Sequence, residues 1–258
     1  MNDRREPILN VPPVVVWLLG ALVVVHAVRM GVLSIDTDNL LLLTFAFIPA
    51  RYEATLLPGG LLPGGWGAEI WSFVTYALIH ADITHLIVNS IWLLAFGSPV
   101  AQRFGSLRFS LFMMVTAAAG ALAHLISHSG AMIPVIGASA AVSGAMGAAT
   151  RFIFQPGGPL DSWRFDAPTR QLPAAPLLAV LRNPRVVTFL VIWFGVNLVF
   201  GVGSVSISGE DQIVAWEAHV GGFLAGLLLF PLFDPQHPPV HPPLDGAWGE
   251  DQPTRPET

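Results

Sequence analysis

The chain has 258 residues, of which 53% are hydrophobic and only 11% charged, and its mean hydropathy is +0.62. That balance excludes an ordinary soluble domain, and a net charge of −5 gives no reason to expect a nucleic-acid partner. Cysteine is absent, so disulfides and thiolate metal sites are excluded as well.

Residues 1–12 carry Arg4 and Arg5 and read as a cytoplasmic N-terminus. They precede a first apolar run at 13–30, read as a span, although its outline with Val25-His26-Ala27 also resembles a signal peptide. The run from Leu40 to Ile48 is closed by Pro49 and is too short to cross, so it is expected to be interfacial or re-entrant. Further apolar runs follow at 86–104, 107–127, 137–153, 186–203 and 214–233. Each approaches the roughly 20 residues that cover a hydrocarbon core. An unpaired amide in lipid costs several kcal/mol and no strand-like alternation is present, so these runs must be helices. The expected fold class is an all-α polytopic membrane protein, a six-helix bundle over residues 13–233. Residues 234–258 are rich in Pro and charge and are expected to form a disordered cytoplasmic tail, with His237 and His241 solvated in it.

Arginine distribution sets the orientation. Arg4, Arg5, Arg103, Arg108, Arg151, Arg164, Arg170, Arg182, Arg185 and Arg255 fall on one side of the spans, and only Arg29 and Arg51 on the other. The positive-inside rule then puts both termini in the cytoplasm, with spans two, four and six descending from the outer face. Arg29 is expected to snorkel toward the outer surface.

Polar residues inside spans are costly and call for a partner or a function. Four sit near the outer ends of the descending spans: His85 and Asn89 at i, i+4 in the second, Ser139 in the fourth after Gly137 and Ala138, and His219 in the sixth. Ser139, Ser143 and Gly147 form one stripe of small residues, and His219, Gly222 and Gly226 another. Such seams let membrane helices approach closely, which would bring the hydroxyl and the imidazole together. A serine needs an adjacent base to become a nucleophile, and neutral imidazole suits that task. The Asn89 amide, the His85 ring and the first backbone N–H groups of span four are candidate donors to an oxyanion. No carboxylate is placed to orient His219, because Glu217 lies on another face of the helix and Asp82 lies outside span two. Asn197 reads as a packing residue, and His26, His80, His124 and His128 as amphipathic rings at span ends. Neither a cofactor nor a metal site is expected.

These residues resemble the rhomboid intramembrane proteases. Gly137-Ala138-Ser139-Ala140 is similar to that family's GxSx motif, His85 to Asn89 to its HxxxN motif, and Ala218-His219-Val220-Gly221-Gly222 with Gly226 to its AHxxGxxxG motif. Ile48-Pro49-Ala50-Arg51 and Glu69-Ile70-Trp71 resemble parts of its first loop, which is partly embedded in the outer leaflet. Ser72 stands where Arg is common, and Ser143 where some members carry an aromatic ring. The resemblance implies a Ser139–His219 dyad with His85, Asn89 and the Ser139 amide at the oxyanion. It further implies a protease that cuts transmembrane or juxtamembrane segments of single-span proteins in the lipid bilayer, most simply a bacterial inner membrane. The alternative is a non-catalytic relative that binds and routes membrane clients.

Overall fold

In a computed structural model, the described residues are 11–53, 62–162, 172–202 and 215–235. The expected N-terminus before residue 11, Arg164, Arg170, the ends of the fifth and sixth runs that face each other and the tail beyond residue 235 lie outside them.

Pro13 opens the first helix, where its missing N–H costs nothing. In chain order the helices are α1 (Pro13–Gly31), α2 (Ile35–Phe45) and α3 (Gly65–Thr75). There follow α4 (Ile83–Phe104), with a π-turn at Leu93–Gly97, and α5 (Ser106–Ser127). Then come α6 (Ser139–Ala149), a single helical turn at Pro159–Ser162, α7 (Leu177–Arg182), α8 (Pro184–Val202) and α9 (Trp216–Phe233). Among the described residues the one extended pairing is an antiparallel bridge between Phe47 and Val135. The fold is an all-α, multi-pass membrane protein.

By length and composition α1, α4, α5 and α9 can cross a membrane. The apolar part of α8, Pro184–Val199, is shorter, and the expected fourth span over 137–153 is helical only from Ser139 to Ala149. The six-span expectation is therefore met by length at four helices. The shortness of α6 has a physical reason: every residue from Ala140 to Ala149 is buried. It is sheathed by α9, α5 and α4, so it presents no side to lipid and needs no full span. The outer helices behave oppositely and show lipid bare apolar side chains such as Trp17, Val191 and Leu232.

Close approach makes this enclosure possible. A Cβ on Gly222 would lie 2.0 Å from the Ala140 carbonyl oxygen, and one on Gly226 would lie 2.0 Å from that of Gly144. Gly147 packs likewise onto the Phe223 carbonyl, where a Cβ would come within 2.3 Å, and Ser143 is buried beside this seam. Backbone therefore meets backbone between α6 and α9, with packing rather than a hydrophobic drive holding them.

The first loop is tied down by arginines. Arg29 donates to both carboxylate oxygens of Asp38 at 2.7 and 2.9 Å and to the His80 carbonyl at 2.8 Å. It does not snorkel as expected; only 5% of it is exposed, because Asp38 and the His80 carbonyl satisfy its donors within the protein. The apolar run from Leu40 occupies the second half of α2 and then extends along Ala46 to Ile48. There Arg51 donates to the carbonyls of Pro63 and Leu43. At the opposite end of the bundle Arg103 makes a fork to Asp234 at 2.8 and 2.9 Å, fixing α4 to the residue that follows α9.

Candidate active site

The segment leading into α6 is held from outside the helix. Phe47 and Val135 exchange two backbone hydrogen bonds of 3.1 and 2.8 Å, and Ala50 N–H donates to the Ala131 carbonyl at 2.9 Å. Gly137 N–H donates to the Tyr76 carbonyl at 3.0 Å, while the buried Tyr76 hydroxyl donates to the Ala117 carbonyl at 2.8 Å. Burial pushes the Tyr76 phenol above its usual range, which keeps it a donor. Ala138 N–H reaches His80 Nε2 at 3.4 Å. His80 is fully buried, and burial, aided by the neighbouring His85 and His26 rings, pushes its pKa down to about 3. It is thus a neutral ring with a lone pair to offer.

Gly137 takes φ +115°, a conformation that glycine adopts at little cost. A Cβ there would also lie 2.6 Å from His85 Nε2, so the His85 ring occupies the place where a side chain would stand. The chain then turns into α6 at Ser139, whose preceding residue, Ala138, has no side-chain oxygen to cap the helix. The first N–H groups of α6, beginning with that of Ser139, therefore have neither an intrahelical acceptor nor a side-chain cap.

Across the seam, His219 Nε2 lies 2.7 Å from Ser139 Oγ. The other ring nitrogen, Nδ1, lies 2.5 Å from Asn197 Oδ1 on α8. The Asn197 amide is itself oriented, because its Nδ2 donates to the Trp193 carbonyl at 2.7 Å. With Nδ2 so committed, Oδ1 is the acceptor and His219 Nδ1 carries the proton. That leaves the Nε2 lone pair facing the Ser139 hydroxyl, the tautomer that can take its proton. The sequence alone suggests a packing role for Asn197; in the structure it is 7% exposed and holds the imidazole. The signal available was an amide within an otherwise apolar helix, but nothing in the sequence named its partner.

His85 is fixed from its own turn. Asp82 caps α4 by accepting the His85 N–H at 2.8 Å, and His85 Nδ1 accepts the Ala81 N–H at 3.5 Å. Nε2 is then the protonated nitrogen, a donor directed at the Gly137–Ser139 corner. Asn89 is 4% exposed and donates Nδ2 to the His85 carbonyl at 2.9 Å, so its amide is anchored on its own helix. Ser139, His219 and His85 are all partly exposed, which allows water and a substrate to reach them. Sequence reasoning missed His80 and Tyr76 as supports of this corner, since neither lies in an apolar run that makes a buried polar residue conspicuous.

A model of the Rhomboid domain matches residues 67–235. RHOMBOID-like protein 1 of Arabidopsis thaliana is 27% identical over 233 residues, covering 83% of this chain and 52% of that protein. RHOMBOID-like protein 6, mitochondrial, of the same plant is 27% identical over 199 residues, covering 73% and 55%. Rhomboid protease GluP of Bacillus subtilis is 32% identical over 80 residues, 31% of this chain and 15% of that protein. The chain spans about half the length of the longer of these matches.

Proposed function

We propose, from the premise that this chain belongs to the rhomboid family, that it is an intramembrane serine endopeptidase working through Ser139 and His219. The observation that carries the reading is the 2.7 Å contact between His219 Nε2 and Ser139 Oγ, with the imidazole held in the receptive tautomer by Asn197. Ser139 Oγ attacks the carbonyl carbon of a substrate peptide bond while His219 Nε2 takes the hydroxyl proton. The carbonyl oxygen becomes an oxyanion beside the first N–H groups of α6 and the His85 Nε2–H, with the Asn89 amide as a further donor. Collapse of the tetrahedral adduct breaks the C–N bond, and His219 returns the proton to the departing amine. Water then attacks the acyl ester, giving a proton to His219, and the carboxylic product leaves as Ser139 recovers it.

Among the described residues the group behind the base is an amide, Asn197, and not an acid. Asn197 is neutral, so it orients His219 without stabilising imidazolium by charge, as an Asp would. Gly137 and Ala138 act as the corner that sets the height of Ser139, and the α6–α9 seam of Gly147, Gly222 and Gly226 beside Ser143 sets its distance from His219.

The substrates under this reading are membrane proteins, single-span in the simplest case, cut within or next to a transmembrane segment in the bilayer. The arginine distribution supports both termini on the cytoplasmic side and a site near the outer face; a bacterial inner membrane is part of the proposal and does not rest on that distribution. A fluorophosphonate probe tests the nucleophile on the purified protein. Wild type is expected to label and Ser139→Ala and His219→Ala are not. Equal labelling of wild type and Ser139→Ala would overturn the assignment and favour a non-catalytic membrane binder.

A further inference from the structure

On the side of α9 turned away from Ser139, three potential ligands converge that the proteolytic reading leaves unused. His124 lies in the last turn of α5, His128 is the residue that ends that helix, and Glu217 stands in the first turn of α9. The i, i+4 spacing puts both imidazoles on one face of α5. Their rings stack with centroids 4.4 Å apart at an interplanar angle of 14°. One ligating atom from each residue can be chosen so that all three lie within 4.8 Å of one another.

Hydrogen bonding does not account for the cluster. The Glu217 oxygens are 3.8 Å from His124 Nδ1 and 3.9 Å from His128 Nε2, beyond hydrogen-bond range. His124 is 6% exposed, yet neither of its ring nitrogens has a hydrogen-bond partner, and His128 Nδ1 is likewise buried without one. Leaving such atoms unpaired away from water is costly, so a ligand that satisfies them is called for. Neutral imidazole is the form that binds metal.

We propose that His124, His128 and Glu217 form a divalent transition-metal site of the zinc class that clamps the end of α5 to the start of α9. Two imidazoles and one carboxylate are a donor set suited to zinc, with a fourth position left for water. Zinc holds its ligands at about 2.0–2.2 Å, which spaces them roughly 3.4 Å apart around a tetrahedron. The observed separations, up to 4.8 Å, are wider, and the stacked rings must turn out of parallel for both lone pairs to point at one ion, a rearrangement of χ angles that ion binding would drive. The electrostatics agree, since a cation here faces the negative end of the α5 dipole while Glu217 sits at the positive end of α9. Hard cations that favour all-oxygen shells are not expected to bind. The cluster is not legible in the sequence, because Glu217 reaches the pair only once α9 packs on α5.

The test uses the full chain purified in detergent, stripped with a chelator and titrated with zinc chloride, with bound metal measured by elemental analysis. One zinc per chain is expected, magnesium should not compete, and cobalt(II) should give the visible bands of a low-coordinate site. His128→Ala, at a position 39% exposed and so tolerant of change, and Glu217→Gln should each weaken binding at least about tenfold, the least that loss of even an outer supporting group costs. His237→Ala with His241→Ala in the tail should leave it intact. Absence of zinc from the wild type, binding by His128→Ala and Glu217→Gln equal to that of wild type, or loss of binding with the tail histidines alone would overturn the proposal.

Discussion

Replacing Asn197 by Ala removes the acceptor 2.5 Å from His219 Nδ1 while leaving Ser139 and His85 untouched. The ring then has a buried donor with no partner, a penalty of about 1–3 kcal/mol. The imidazole can relieve that penalty only by moving its proton to Nε2 or by turning, and either removes the lone pair from the serine hydroxyl. At 1.36 kcal/mol per tenfold, the competent population and with it kcat should fall roughly 5- to 150-fold. KM should stay unchanged, because Asn197 lies behind His219 as seen from Ser139. Asn197→Asp keeps an acceptor at the same place and should recover most of the loss. The assay is cleavage of a fluorescent single-span substrate in detergent micelles, with kcat and KM resolved and fluorophosphonate labelling rate as a second readout. An Asn197→Ala enzyme with undiminished kcat, or with its whole defect in KM, would refute the idea that this amide sets the tautomer.

Three other outcomes follow from the geometry. Gly226→Ala should destabilise the fold by about 1–3 kcal/mol or more, read as a lower thermal midpoint, since its Cβ would lie 2.0 Å from the Gly144 carbonyl and backbone cannot swing aside; an unchanged midpoint would mean the seam is not close-packed. Because the folded pKa of His80 is pushed from 6.5 to about 3, the unfolded chain binds a proton that the native chain refuses. Stability from this group is complete above pH 6.5 and should fall on acidification toward 3, by at most about 1.36 kcal/mol per pH unit. His80→Gln should flatten that slope, and an equal slope in the variant would remove His80 as its source. Asn89→Ala should slow cleavage by roughly 10- to 1000-fold through loss of an oxyanion donor, and a rate equal to wild type would exclude it from the reaction.

The sequence made depth and periodicity legible. Long apolar runs announced α1, α4, α5 and α9, and the polar residues interrupting them marked where α4, α6 and α9 would carry chemistry. It did not disclose which helices face lipid, and so gave α6 a full span that its burial makes unnecessary. Pairings that join distant segments were hidden for the same reason. Nothing local in Arg29 predicts that Asp38 and the His80 carbonyl will enclose it, and nothing local in Asn197 predicts that α8 will lean on His219. An amide in an apolar helix signals that a partner exists without saying where.

The short, wholly enclosed α6 explains why the candidate nucleophile stands where it does. A helix that had to span the bilayer would carry bulky apolar residues on its lipid side and would begin near the headgroups. Freed of that requirement, α6 is built almost entirely of Ala, Gly and Ser and lets Gly222 and Gly226 of α9 lie against its backbone. The same compactness that removes side chains from the seam leaves the helix N-terminus uncovered at Ser139. Close packing, an unshared set of backbone donors and the imidazole on the facing helix are therefore consequences of one choice of small residues. Enlarging any of them should disturb stability and the serine–histidine contact together.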